Sequence, residues 1–225
     1  SRGLGDVYKR QVSAKVGALA LLWAIIVGVP LGCLAAFKRG KLTDSILRVI
    51  CTLGISMPSF VVASVLLVTL TGDGALNLFP SIFDASQGIR AYILPCFALG
   101  FYPMCYTARQ TRSAMLDSLS QEYIKTARAK GLKNKKIIFK HALRNALIPV
   151  ITVFGMEIGS LIAFTTVTET IYSWPGLGKL LIDSINSVDR PVIVAYLILT
   201  TVLFVFINFV VDLLYTVIDP RIKIR

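Results

Sequence analysis

Residues 121–152 read Q-E-Y-I-K-T-A-R-A-K-G-L-K-N-K-K-I-I-F-K-H-A-L-R-N-A-L-I-P-V-I-T, a polar and strongly basic stretch set between apolar ones. From Met115 to Ala127, the residues Leu116, Leu119, Tyr123 and Ala127 recur at spacings of three and four. That spacing puts them on one face of a short amphipathic helix, with Asp117, Gln121, Lys125 and Arg128 opposite. Gly131 follows, where a helix needs a residue that accepts positive φ to end cleanly. A second helix is predicted from about Asn134, with Lys136, Lys140 and Arg144 at i, i+4 spacing, a stripe suited to anionic headgroups. Ile148-Pro149 then returns the chain to apolar sequence. Spacing alone leaves two readings open, a solvated basic loop on a membrane surface and a docking element for a partner.

The flanking sequence decides the solvent. Hydrophobic residues make up 55% of the chain and charged residues 16%, with a mean hydropathy of +0.72, outside the ordinary soluble range. Four apolar spans, roughly 16–37, 46–70, 147–168 and 192–218, are long enough to cross a hydrocarbon core of about 30 Å. A fifth, roughly 91–108, contains Pro95 and Pro103, which a bilayer tolerates when neighbouring helices satisfy the freed carbonyls. The expected fold is therefore an all-α integral membrane protein with five transmembrane helices and cytoplasmic surface helices.

The net charge of +12 is explained by where the basic residues lie. Lys38, Arg39, Lys41 and Arg48 follow the first span; ten more fall between Arg109 and Arg144; Arg221, Lys223 and Arg225 close the chain. The alternate loops, 71–90 and 169–191, hold Arg90, Lys179 and Arg190 against Asp73, Asp84, Glu169, Asp183 and Asp189. By the positive-inside rule the basic loops and the C-terminus are cytoplasmic. The charge surplus is topological, and no nucleic-acid partner is expected.

Catalytic and metal chemistry find no support in the sequence. Cys33, Cys51, Cys96 and Cys105 all fall inside apolar spans at irregular spacing and read as small core residues. His141 is the only histidine and has no ligand company. Gly178-Lys179 is followed by Leu180, and Ser173 stands where a phosphate-binding loop needs glycine, so no nucleotide site is expected in this chain.

Residues 1–15 carry Arg2, Lys9, Arg10 and Lys15 on the side that topology makes external. Asp6-Val7-Tyr8-Lys9-Arg10-Gln11 is what the end of a sequencing-library transposon adapter encodes in frame, so residues 1–11 are expected to be an artefact and 12–225 the transmembrane domain.

Glu122, Tyr123, Thr126, Ala127, Ala129, Lys130 and Gly131, followed in register by His141, Ala142, Leu143, Arg144, Asn145 and Pro149, resemble the coupling loop of ATP-binding-cassette importer permeases of the dipeptide, oligopeptide and nickel branch. The stretches 168–178, 211–215 and 219–221 resemble the same family. The resemblance implies that the loop, about 115–146 here, fits a cleft on a separate ATPase subunit, with Glu122 to Ala129 entering it and Gly131 setting its angle. It implies two ATPase subunits that hold ATP and Mg, a second homologous permease, an external or periplasmic substrate-binding protein, and a bacterial or archaeal plasma (inner) membrane. It also implies a sixth span ahead of the five seen, so the intact protein is expected to be longer at its N-terminus.

Two further sites follow. Glu157 lies mid-span, where an ionisable group costs about 2.5–3.5 kcal/mol on insertion scales, so it faces either a substrate pathway or a hydrogen-bonding neighbour. Gly155 and Gly159 form a G-x-x-x-G pair that favours close helix packing on another face. In the second external loop, Trp174-Pro175-Gly176 makes a turn, and Leu177, Leu180, Leu181, Ser184, Ile185 and Val188 form a helical apolar stripe. Trp174 reads as an anchor at headgroup level; the resemblance adds a gate or docking surface including Glu169, Trp174, Pro175 and Gly176. A rival reading is an ion-coupled secondary transporter, which would place broken helices and ionisable groups near the midplane.

Overall fold

The computed structural model describes residues 2–218 apart from 73–75, 77 and 83; for residues 2–12, 85, 153, 156, 158–164, 212 and 214–218 it describes the backbone course alone. The chain folds into helices α1 (Arg2–Phe37), α2 (Leu42–Ser56), α3 (Ser59–Leu70), α4 (Ile89–Ser120), α5 (Glu122–Ala129), α6 (Asn134–Lys136), α7 (Leu143–Ile171), α8 (Leu177–Asn186) and α9 (Arg190–Ile218). A π-helical turn, Ile137–Ala142, joins α6 to α7 without a break.

Helices α1 and α4 form the spine, and glycine decides how closely they approach. A Cβ added at Gly32 would lie 2.4 Å from the Ala108 carbonyl oxygen and 2.6 Å from the Thr111 Cβ. At Gly28 it would meet the Met104 carbonyl oxygen at 2.8 Å, and at Gly100 the Ala20 carbonyl oxygen at 2.7 Å. Small residues thus let the two backbones touch, the usual source of helix association in lipid. The pairs Ala20–Gly100, Gly28–Met104 and Gly32–Ala108 advance together, so the helices run parallel.

Parallel neighbours require a return crossing, and α2 with α3 supplies it in broken form. The expectation of one helix over 46–70 is corrected here, because the axis bends by 105° between Ser56 and Ser59. Pro58 has no N–H to donate and its ring pushes Met57 out of the helical region, to φ −83° and ψ 125°. Pro95 and Pro103 stay inside a continuous α4.

A second correction concerns the amphipathic helix expected over 115–127. Nothing terminates the helix after residue 108, so α4 runs on to Ser120, about 48 Å in all by the 1.5 Å rise. The break falls at Gln121, extended at φ −72° and ψ 152°. Met115, Leu116 and Leu119 therefore belong to α4, and only Tyr123 and Ala127 to α5.

The interior is stacked in tiers. Val16, Ala20, Ala91, Cys96, Leu99 and Trp174 pack at one end, Ala24, Cys51, Met104, Cys105 and Ala108 in the middle, and Ala36, Met115, Ile124, Ala127, Ile137, Ala142 and Ala146 at the other. The loop 38–41 and the segment 121–142 share that last end, so the two strongly basic regions read from the sequence do lie together. Among the described residues, Ser13–Phe37, Ile89–Ser120 and Arg190–Val211 are long and apolar enough to cross a membrane, and the bent α2–α3 pair is a fourth if counted as one span. Helix α7 covers the expected 147–168 span. Helix α9 packs on α7 and α8, yet none of its most apolar window is buried.

If glycine closeness sets the spine, Gly32→Val should lower the thermal midpoint of the detergent-solubilised assembly, since overpacking costs about 1–3 kcal/mol. Gly17→Val, with nothing within 4 Å of the added Cβ, should leave it unchanged. Equal midpoints for the two variants would contradict this account of the spine.

Candidate functional site

The loop read as a docking element is built as a short helix riveted by one face. On α5, Ile124 is 0% and Ala127 6% exposed, packed on Met115 of α4, Ile137 and Ala142. Ala127, within the stretch expected to enter the ATPase cleft, turns its side chain into the chain's own cluster. Gln121, Glu122, Tyr123, Lys125, Thr126, Arg128, Ala129 and Lys130 are exposed. Glu122 and Lys125 pair at 2.7 Å, an exposed i, i+3 contact worth little.

The end of α5 follows from Gly131. Its φ is +74°, its N–H donates to the Arg128 carbonyl at 2.9 Å, and the Leu132 N–H reaches back to the Ala127 carbonyl at 3.3 Å. This is the Schellman pattern of 5→2 and 6→1 hydrogen bonds, and Leu132 completes it by packing on the same cluster as Ile124. Tyr123, the partly exposed member of the expected face, is fixed by its hydroxyl. Ser118 Oγ donates to the Ala142 carbonyl at 3.0 Å, so the Tyr123 hydroxyl donates to Ser118 Oγ at 2.6 Å. One chain of hydrogen bonds thus joins α4, α5 and the π-turn where the helical repeat changes.

At the opposite end, Glu169, Trp174, Pro175 and Gly176 are brought together, but inward. Glu169 is 1% exposed; its carboxylate accepts from Ser13 Oγ at 2.5 Å, the Gly178 N–H at 2.7 Å and the Lys179 N–H at 3.3 Å. It therefore caps the start of α8 and ties it to α1, whose Ser13 also accepts from the Leu177 N–H at 2.9 Å. A Cβ at Gly176 would fall 2.1 Å from the Glu169 carboxyl carbon. Trp174 is 1% exposed and meets Tyr92 edge to face at 4.8 Å. Neither the headgroup anchor nor a docking surface describes a tryptophan enclosed in this way, which corrects both readings for Trp174. Helix α8 with its apolar stripe is present as expected.

Glu157 is half-buried on α7, within electrostatic reach of Tyr102 on α4. From Tyr102 a polar stripe descends α4. The Tyr102 and Tyr106 rings stack at 6.1 Å and 10°, Gln110 donates to the Tyr106 hydroxyl at 3.3 Å, and the Arg109 guanidinium carbon lies 5.4 Å from the Tyr106 ring centre. Gly155, in the G-x-x-x-G pair, is buried; the side-chain surroundings of position 159 lie outside the described residues.

Sequence reading missed a buried ion pair. Asp44 is 1% exposed and accepts from Arg112 Nε at 2.7 Å and a second guanidinium nitrogen at 2.9 Å, with the Gly40 N–H at 3.0 Å. This bidentate clasp locks the start of α2 to the basic end of α4. The sequence signal was faint, a lone acid among the cations of residues 38–48.

A profile of the binding-protein-dependent transport system inner membrane component family matches residues 28–224. The chain belongs to this family. It is 42% identical over 228 residues to the di/tripeptide transport system permease protein DppB of Pseudomonas aeruginosa (strain UCBPP-PA14), covering 91% of this chain and 68% of the relative. Identity to the dipeptide transport system permease protein DppB of Bacillus subtilis (strain 168) is 42%, over 100% of this chain and 72% of that one. The glutathione transport system permease protein GsiC of Salmonella choleraesuis is 38% identical, over 99% and 75%. Among solved structures, the inward-facing MetNI methionine ABC transporter matches with a TM-score of 0.74 at 17% identity, over 95% of this chain and 96% of that one. An amino acid ABC transporter crystallised with histidines matches with a TM-score of 0.72 at 14% identity, over 95% and 94%; these two show the fold.

This binding-protein-dependent permease is thus a multi-pass plasma-membrane subunit of an ATP-driven importer, and the relatives exclude the secondary-transporter reading. Hydrolysis resides in separate subunits, so the family implies an ATPase, a substrate-binding protein and a second permease as partners.

The outer knot makes its own prediction. Glu169→Ala leaves the Ser13 hydroxyl proton and two N–H groups of α8 without their acceptor in a largely buried place, which should cost about 1–3 kcal/mol and depress the thermal midpoint of the assembled transporter. Asp183→Ala, which removes only a contact of 3.9 Å to Lys179 at the surface, should shift stability by less than about 0.5 kcal/mol. A silent Glu169→Ala would remove Glu169 from its capping role.

Proposed function

We propose that this permease forms, with a second homologous permease, the membrane pathway of an importer for short peptides, and that α5 is the element through which the ATPase drives it. One observation carries the proposal: α5 is fixed to the body by Ile124, Ala127 and the Tyr123–Ser118–Ala142 hydrogen bonds, while Glu122, Thr126 and Ala129 are left facing outward. A helix held in this way transmits a push instead of absorbing it. The peptide substrates named for the DppB and GsiC relatives favour peptides over nickel as cargo.

The same proposal takes five spans, with the basic end, α5 and the C-terminus in the cytoplasm. The shared location of residues 38–41 and 121–142 at one end of the bundle, together with their charge, supports that orientation. Glu157, half-buried at membrane depth and continuous with the tyrosine stripe, is the pathway residue. Glu169 and Gly176 set the position of α8 at the external mouth.

The turn at Gly131 supplies the test. A side chain at φ +74° is strained, costing about 1–2 kcal/mol, but no span is touched and no neighbour lies within 4 Å. Gly131→Leu in the complete transporter should therefore leave membrane abundance near normal, reduce co-purification of the ATPase and abolish peptide uptake. Normal ATP-dependent uptake by that variant would overturn the coupling role of this turn. Thiol labelling checks the orientation: from outside, a cysteine placed at Asn186 should react and one at Asn134 should not, native thiols having been removed.

A further inference from the structure

At the cytoplasmic end of the tyrosine stripe, a cavity of about 350 Å³ opens between α1, α2 and α4, lined among others by Leu31, Arg48, Cys51, Thr52, Arg109 and Arg112. Its charge is unbalanced. Arg112 is clasped by Asp44, and Arg48 lies 3.6 Å from the same carboxylate. Arg109 forms no ion pair among the described residues; its guanidinium rests over Tyr106. Arg109 itself is exposed, so the ring contact orients its guanidinium at the mouth of the cavity and leaves its N–H groups open to an anion.

The other pole of the stripe is acidic. Phe154 of α7 packs with Phe101 and Met104 of α4; Glu157, one turn further along α7, is within electrostatic reach of Tyr102, and Arg109 follows Tyr102 by seven residues along α4, about 10 Å on the helix axis. An extended peptide of two or three residues spans about 7–10 Å. Between the poles, the stacked rings of Tyr102 and Tyr106 offer a surface that packs against any side chain without selecting one.

We propose that this cavity is a subsite for the terminal carboxylate of a peptide in transit, with Arg109 as the contacting cation, Arg48 as its neighbour at the rim, and Glu157 facing the amino terminus. The inference rests on the peptide-import reading above and assigns residues to it. An anionic phospholipid headgroup would use the basic pole alone; opposite charges at the two ends of one polar stripe fit a zwitterion.

The test compares a dipeptide bearing a free carboxylate with its C-terminal amide, in ATP-driven uptake by the reconstituted transporter with its binding protein. Each variant is scored by its acid-to-amide uptake ratio relative to the unmodified transporter, which removes the binding protein's own preference. Arg109→Gln should lower that ratio about tenfold, the loss of one charge-assisted hydrogen bond, and Arg109→Lys should restore much of it. Amide uptake should stay within about twofold, showing that the variant folds and couples. An unchanged ratio in Arg109→Gln with normal amide uptake would overturn the subsite and leave the importer reading standing. So would loss of a co-purifying anionic phospholipid from Arg109→Gln without a change in ratio. An unmodified transporter that moves no peptide would overturn the proposed function and the subsite together.

Discussion

Everything in this bundle hangs on the contact between α1 and α4. Gly28, Gly32 and Gly100 let two parallel helices meet backbone to backbone, and dispersion at that distance replaces the hydrophobic drive that lipid cannot supply. Because α4 is held so closely, its extension beyond the apolar span becomes a rigid lever. It carries Arg112 to Asp44, the tyrosine stripe past Glu157, and Met115 to the underside of α5. The spine contact, the tyrosine stripe and the seat of α5 all lie along α4.

Opposite ends of the molecule are built by different chemistry. The outer end closes around a buried carboxylate, Glu169, that satisfies the N–H groups at the start of α8 and the Ser13 hydroxyl together. The basic end closes around small apolar residues under α5 and the Asp44–Arg112 clasp. The first joins α1, α7 and α8; the second joins α2, α4 and the π-turn region. Under the coupling role proposed for α5, its motion reaches the outer mouth through α7, which runs from the π-turn to the Glu169 knot.

Local features were legible in the sequence. The all-helical class, the pooling of cations at one end, the turn at Gly131 and the helix over Leu177–Asn186 all rest on composition or on spacing within a few residues, which a linear reading sees. What escaped it depends on distant partners or on a single backbone atom. Pro58 breaks its helix because Met57 is forced out of the helical region, while Pro95 and Pro103 leave theirs continuous, and nothing in the residue type separates the cases. Ile124 anchors α5, although spacing assigned that face to Tyr123 and Ala127. Trp174 has the composition of an interfacial anchor and is buried, because Tyr92, 82 positions earlier, folds over it. Asp44 and Arg112 are 68 residues apart, beyond any periodicity.

The central claim is that α5 shows its partner one face and its own bundle the other. Site-directed crosslinking in native membranes tests it most directly, with single cysteines at Ala129 and at Ile124 in the complete transporter and a short bifunctional maleimide. The account predicts an adduct with the ATPase subunit from Ala129→Cys, sensitive to bound nucleotide, and none from Ile124→Cys. Equal adducts from both positions, or an adduct from Ile124→Cys alone, would contradict it.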